Sequence, residues 1–502
     1  MKSESHDQRF WEVHSTCCQR QVALSLELTS HFLSVTASTP FNMIPLTILS
    51  LLCVTIGQSI ASESTDSKID VSAVCGHDRS ICDPAFDEQH KSQFNQIWKN
   101  IVNQEQILNS PRNDSPDLPE VKTGHFIILN STTRTYGESA EKSADVETSS
   151  RNPRRSAPGS SIEMMRKLFT ELFMHTRHDE VSTRLKNLTR HGIIDRLSHY
   201  TLETTTQEFF AKAPSGQVLQ GVNIVGVIPG RNRNKPGDEI ILIGAHYDTD
   251  ANTPGVDDNG SGVVAMLEIA RMLSPYMGQL SSTVFLVAFD LEEKGILGSL
   301  AFVNNYLIPN ELVSKRSHFT GAYILEMVLN YDNSSQSQIL PLDMVMAVPE
   351  SALWLQLNGN RGDFVGMWSR KVLDYQIANA FTESWRKVNE ERNRTGIHTI
   401  LPDLKMYTFD AAIPRDPLLL STVRYRAFFN SDHASFWTHR STEYSDYLSA
   451  VLITDMGAHR GNMRACYHEF CDDGRLLTSE NLEFMKRITD AVANAVLKLT
   501  SK

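Results

Sequence analysis

Residues 239–273 read EIILIGAHYDTDANTPGVDDNGSGVVAMLEIARML. The first part, Glu239–Ala245, is an unbroken apolar run that delivers His246-Tyr247-Asp248 at its carboxyl end. A polar, glycine-bearing turn follows, and Gly262–Leu273 then has the texture of a buried helix. A continuous apolar strand needs cover on both faces, so a strand–turn–helix unit of this kind points to a sheet wrapped by helices.

The pattern repeats outward. Ser282–Phe289 (STVFLVAF) delivers Asp290-Leu291-Glu292-Glu293, Gly321–Leu325 (GAYIL) delivers Glu326, and Leu448–Thr454 (LSAVLIT) leads toward Tyr467-His468. Helical segments are expected at Gly298–Leu307 and Asn481–Lys498. Upstream, Met165, Leu168, Phe169, Leu172 and Phe173 recur at helical spacing, Thr201–Ala211 alternates as a strand, and Val222–Ile228 ends in the turn Pro229-Gly230. The fold expected is α/β, with a mostly parallel or mixed central sheet and helices on both faces. In such sheets the site lies at the carboxyl ends of the strands, where these acids and histidines gather.

The chain has 502 residues and a net charge of −11, with no basic stripe to meet phosphate, so a nucleic-acid partner is not expected. Met43–Gly57 is the strongly apolar segment, about 15 residues against the roughly 20 that a membrane span needs. Ser59-Ile60-Ala61 after it suits signal peptidase, so residues 1–61 read as a signal peptide, with translation starting at Met43 and residues 1–42 an upstream extension. A signal anchor with a cytosolic tail is the competing reading; otherwise no stable membrane span is expected. Four of seven cysteines then remain, in the close pairs Cys75/Cys82 and Cys466/Cys471. Such pairs suit an oxidising compartment, as do the sequons at Asn113, Asn130, Asn187, Asn333 and Asn393, and the expected location is secreted or in the secretory lumen.

Residues 62–160 read as a prosegment or accessory region with short helical patterns, closing in a charged, Ser-rich linker. Arg154-Arg155 in that linker is either a processing site or simply an exposed basic pair. Residues 161–502 form the expected catalytic domain.

Five residues have metal-ligand chemistry: His246, Asp258, Glu293, Glu326 and His468. Imidazole nitrogens and carboxylate oxygens without thiolate suit catalytic zinc, and five donors with one bridging carboxylate suffice for two ions. Each has a plainer reading. Asp257 or Asp258 would also N-cap the helix that follows. Glu292-Glu293 would also be two solvated acids at a helix start, or one would bind metal while the other moves a proton. Asp248, two residues beyond His246 on a strand end, faces the same side and would orient that imidazole. Tyr467, beside His468, would donate to an oxyanion.

Together, GAHYDT, PGVDDNGSG, FDLEEKGILGS, LEMV, NSDHASFW and CYHEFCDD resemble, in this order, the marks of metallopeptidase family 28, which includes secreted di-zinc leucyl aminopeptidases. The resemblance covers about residues 200–500. It implies a phosphorylase/hydrolase-like zinc-exopeptidase fold and two zinc ions bridged by Asp258, the residue immediately before Asn-Gly-Ser-Gly. His246 and Glu326 would hold one ion, and Glu293 and His468 the other. Glu292 would be general base and acid, Asp248 the orienter of His246, and Tyr467 the oxyanion donor. Glu326 stands where many members have Asp, and Asn430 where some carry an Arg near the substrate amine. Ser431-Asp432-His433 reads as structural support near the site, with His433 not a ligand, Arg361-Gly362-Asp363 as a surface turn, and Asn259 as an unglycosylated sequon.

The expected function is a secreted zinc exopeptidase acting on peptides, an aminopeptidase first. Competing readings are a glutaminyl-peptide cyclotransferase, which would need one zinc, a carboxypeptidase or dipeptidase, and a non-catalytic receptor-like domain, which would have shed ligands.

Overall fold

The structure is a computed structural model that describes residues 127–136, 159–212, 216–395, 400–402, 404–415, 424–439 and 441–501. They all belong to one compact unit, Leu118–Lys502. The leader at 1–61, the pair Cys75/Cys82, the sequon at Asn113 and the Arg154-Arg155 linker lie outside the described residues.

Nine strands form one mixed sheet: β1 (Ile127–Tyr136), β2 (Glu203–Lys212), β3 (Val218–Ile228), β4 (Glu239–His246), β5 (Ser282–Phe289), β6 (His318–Glu326), β7 (Phe364–Arg370), β8 (Lys405–Ala411) and β9 (Ala450–Thr454), in the order β1-β2-β3-β5-β4-β6-β9-β7-β8. β5, β4, β6 and β9 run parallel, and β7 pairs parallel with β8. The β1–β2, β2–β3, β3–β5 and β7–β9 pairings are antiparallel. The parallel centre places the carboxyl ends of β5, β4, β6 and β9 along one edge, and the metal-ligand residues lie along it.

Helices are α1 (Ile162–Leu172), α2 (Thr183–Tyr200), α3 (Gly262–Leu273), α4 (Leu297–Phe302), α5 (Leu342–Ala347), α6 (Glu350–Leu357), α7 (Tyr375–Thr395), α8 (His433–Trp437), α9 (Met463–Cys466) and α10 (Ser479–Leu499). Period-2 alternation sends Ile241, Ile243 and Ala245 of β4 into a core with α1, α2, α3, α7 and α10. Ile240 and Leu242 enter a second core with Phe302, Leu307 and Phe428 on the other face. Burial on both faces is why β4 reads as one apolar run, and each such side chain stabilises the fold by about 1.5–3 kcal/mol.

The structure departs from the sequence expectations at three places. β1 forms at the end of a stretch that shows only short helical patterns, because its Thr-rich face pairs along the equally Thr-rich β2. The helix expected at Gly298–Leu307 is α-helical only to Phe302; Val303–Ser314 continues with wider, π-type winding around Pro309. β7, α7 and β8 carry no expectation at all: FVGMWSR and KMYTFDA are short and mixed in polarity. Arg361-Gly362-Asp363 is partly built in, since Gly362 is buried and bridges to Asp332 while Asp363 pairs with Lys405. Among the described residues, no helix is long and apolar enough to cross a membrane.

Candidate metal centre

Four elements converge at the carboxyl edge. β4 ends in His246, which is 1% exposed, and β6 ends in Glu326. At the end of β5 the backbone of Leu291 is left-handed (φ 56°), and the turn places Glu292 and Glu293 beside the site. His468 comes from the loop after α9 and is also left-handed, φ 60°.

Asp258 lies in the turn before α3, and the structure does not place it as the helix cap. The helix-capping role falls to Asn259, whose Oδ1 accepts the Gly262 N–H at 3.0 Å and the Met327 N–H at 3.1 Å. Neither Asp257 nor Asp258 caps the helix: Asp257 Oδ1 accepts the Leu329 N–H, and the Asp258 carboxylate faces the histidines. Asn259 is fully buried and its Nδ2 donates to Leu325 O, so this sequon is closed to glycosylation. Gly255 makes the turn possible. Its φ is +62°, and a Cβ there would meet Asp258 O at 2.2 Å.

The five ligand-type residues form two groups that share Asp258: His246, Asp258 and Glu326, and Asp258, Glu293 and His468. His246 Nε2 lies 3.4 Å from Asp258 Oδ1 and 3.3 Å from Glu326 Oε1. His468 Nε2 lies 3.2 Å from Asp258 Oδ2 and 3.3 Å from Glu293 Oε2. Asp258 Oδ2 and His468 Nε2 are buried and close, yet neither makes a hydrogen bond. Buried polar atoms aimed at a common point without bonding one another are what a metal ion would satisfy. The all-nitrogen-and-oxygen set fits zinc.

Asp248 lies behind His246, its Oδ1 3.5 Å from Nδ1. Its two oxygens also accept the backbone N–H groups of Glu292 (3.1 Å) and Glu293 (3.2 Å), so one carboxylate aligns a ligand imidazole and the acid pair. Glu326 Oε2 accepts the Ser431 hydroxyl at 2.7 Å. Tyr467 stacks on His468 with ring centroids 3.8 Å apart, and is 40% exposed. Cys466 and Cys471, which flank both, are placed as a disulfide pair with Cα atoms 5.1 Å apart.

The concentration of charge shifts proton affinities. Burial pushes Glu292 well above the carboxylate range; His246 opposes this, and Glu326, Asp432 and Glu293 add to it. Burial and the neighbouring Asp258 carry Glu293 up to about 8. Against burial, the adjacent carboxylates of Asp258 and Glu293 raise His468 to about 9. His246 is likewise raised, burial being outweighed by Glu326, Asp248 and Asp258. Asp258 falls below its usual value because the two imidazoles outweigh burial. Desolvation at the site and the carboxylates of Asp258 and Glu293 raise the Tyr467 phenol.

The structure brings His246, Asp258, Glu293, Glu326 and His468 together, with Asp248, Glu292 and Tyr467 beside them; it does not bring His433 there. His433 is buried away from the two groups and its Nε2 bonds Phe428 O. Ser431, read from the sequence as structural support, is the hydrogen-bond partner of Glu326; two supporting residues escape a sequence reading, the buried Arg177 and Asp472 under the Asp258 turn. Asp472 sits inside the CYHEFCDD motif and could have been noticed there. Arg177 lies in an irregular segment and leaves no mark.

Fold and site together define a candidate metal centre on the carboxyl edge of a mixed α/β sheet. Residues 223–358 match the sequence model of Peptidase family M28. It is similar to aminopeptidase YwaD of Bacillus subtilis, 35% identical over 133 residues, 26% of this chain and 27% of that protein. The chain thus spans about a quarter of that relative's length. Among solved structures it is similar to a zinc aminopeptidase from Bacillus subtilis, with TM-score 0.35, 22% identity, and 59% of this chain and 53% of that one covered. It is also similar to Porphyromonas gingivalis glutaminyl cyclase, with TM-score 0.40, 16% identity, and 68% and 99% covered.

Proposed function

We propose that the chain is a two-zinc exopeptidase of the secretory route, an aminopeptidase that removes N-terminal residues from peptides. The observation that carries this reading is the pair of complete three-donor groups joined by Asp258. His246 and Glu326 would hold one ion, His468 and Glu293 the other, and Asp258 both. When bound, the zinc pair supplies Lewis-acid polarisation of the scissile carbonyl and positive charge for the developing oxyanion.

The chain's own residues do the rest. Glu292 takes the proton of the attacking water and returns it to the leaving amine, a role for which a carboxyl raised above its ordinary range by burial is suited. Asp248 holds the His246 ring by its Nδ1 side and fixes the backbone of Glu292. Tyr467 donates its phenolic hydrogen to the substrate oxyanion. The flanking Cys466–Cys471 pair and the leader-like segment support a secreted location.

The test is release of p-nitroaniline from aminoacyl p-nitroanilides, with chelator and zinc add-back, alongside zinc content. Chelator-sensitive hydrolysis that requires a free amino terminus is expected. Glu292→Gln should retain two zincs and lose turnover by about 10³-fold. A single zinc with cyclisation of N-terminal glutamine would replace this reading with a cyclotransferase.

A further inference from the structure

Two fully buried charged residues that the proposed chemistry does not use close on the turn 254–258 from opposite sides. Asp472 takes three consecutive N–H groups of that turn. Its backbone carbonyl accepts from Val256 at 3.3 Å, Oδ1 from Asp257 at 2.7 Å, and Oδ2 from Asp258 at 3.0 Å. Arg177 takes the carbonyls: its guanidinium donates to Pro254 O (2.6 Å), Gly255 O (2.8 Å) and Tyr247 O (2.7 Å). A fourth bond, to His175 O at 3.0 Å, ties the guanidinium to its own segment.

We propose that Asp472 and Arg177 are positioning residues that clamp the Asp258 turn, Asp472 locking it to the His468 loop and Arg177 to the end of β4. The inference rests on the metal-centre reading above. Asp472 follows His468 by four residues and Cys471 by one, so its grip on the Asp258 backbone fixes the spacing of two ligands from distant parts of the chain. Tyr247 lies between His246 and Asp248, so Arg177 does the same for the other group. The chemistry is specific at both positions. A carboxylate accepts two adjacent N–H groups, whereas an amide would turn an NH2 toward one of them. A guanidinium fans donors across three carbonyls, whereas an ammonium is a compact charge on a flexible stem.

The test measures zinc stoichiometry and affinity, by metal analysis and competition with a chromogenic chelator, for wild type, Asp472→Asn, Arg177→Lys and His468→Ala. Asp472→Asn should keep one zinc at wild-type affinity and hold the second about 10- to 100-fold more weakly. Excess zinc should restore its kcat with the peptide KM unchanged, a selective and reversible loss that general destabilisation does not produce. Arg177→Lys should weaken the His246 group as well. Both zincs bound at wild-type affinity in Asp472→Asn would overturn the clamp. If His468→Ala loses one zinc while Asp472→Asn loses none, only the clamp fails. If wild type binds no zinc and His468→Ala changes nothing, the metal-centre reading itself fails. Should Asp472→Asn not fold, Asp472→Glu and Arg177→Lys carry the test, and full zinc affinity in both overturns the proposal.

Discussion

The two halves of the centre share Asp258 and little else. The inner half is built from the sheet: His246 closes β4, Glu326 closes β6, and the side chain of His246 is 1% exposed. The outer half hangs on turns. His468 sits on a short loop with a left-handed backbone, and its side chain is 33% exposed. Glu293 follows the left-handed Leu291, and its Oε1 accepts the Asp250 N–H at 3.1 Å. The inner half is therefore preorganised by the same hydrogen bonds that make the fold. The outer half is assembled by local devices: the Cys466–Cys471 pair, the Tyr467 stack and the Asp472 contacts. Local opening costs less than global unfolding, so the outer ion should be the one that exchanges.

The largest expected difference comes from removing one histidine from each half. His246→Ala removes the imidazole that faces the buried carboxylates of Asp248 and Asp258. It should abolish the inner ion and cost the metal-free fold about 3 kcal/mol. His468→Ala should remove the outer ion and change metal-free stability by less than about 1 kcal/mol, because the loop is partly solvated. Chemical denaturation in chelator, with zinc counting, measures both. Equal stability losses would erase the distinction between a sheet-built and a loop-built half.

Protons sharpen the comparison next. With His468 raised to about 9 and Glu293 to about 8, the metal-free outer half holds two protons near neutral pH, and an ion must expel both. Its apparent zinc affinity should therefore fall with falling pH, by about tenfold per unit between the two values and up to about a hundredfold per unit below them. At the inner half, among the resolved shifts, only His246 is raised, and Asp258, held low, carries no proton. Its affinity should change by about tenfold per unit. Proton release measured calorimetrically in two buffers, about two for the outer ion and one for the inner, checks this. A flat affinity above neutral pH would show that neither shift is real.

The inner half is also the part that the sequence displays best, for the same physical reason. Strands buried on both faces must be continuous apolar runs, so β4, β5 and β6 and the residues at their ends stand out. Asp258 needed more, because one acid before a helix reads equally as a cap. The ordered motifs that resemble metallopeptidase family 28 favour the ligand role, and Asn259 taking the cap contacts removes the cap role. β7 and β8 escape notice because KMYTFDA mixes half-exposed positions with polar ones and FVGMWSR is too short for a period to emerge. Arg177 escapes because its partners are backbone carbonyls, and main-chain acceptors leave no trace in residue identity. The secreted location rests on the leader-like segment, outside the described residues, and on the Cys466–Cys471 pair, and stands as a proposal.

The smallest effect concerns the scaffold beneath the inner half. His433 lies two residues after Ser431, the hydrogen-bond partner of Glu326, and is fully buried with its ring edge-on to Trp437 at 4.5 Å. Burial holds it down to about 3; the bond to Phe428 O opposes this and the charge of Arg370 adds to it. A histidine depressed in the fold binds its proton more readily in the unfolded chain. Its contribution is thus complete above the unfolded value of 6.5 and is lost as pH falls from there toward 3. At about pH 5.5 the loss is about 1.4 kcal/mol, one decade in the unfolding equilibrium. Denaturation midpoints in chelator should fall across this window in wild type and fall less in His433→Gln, which retains a donor but cannot take up the proton. Parallel pH profiles for the two proteins would mean that acid acts elsewhere, and that the core under Ser431 does not feel this charge.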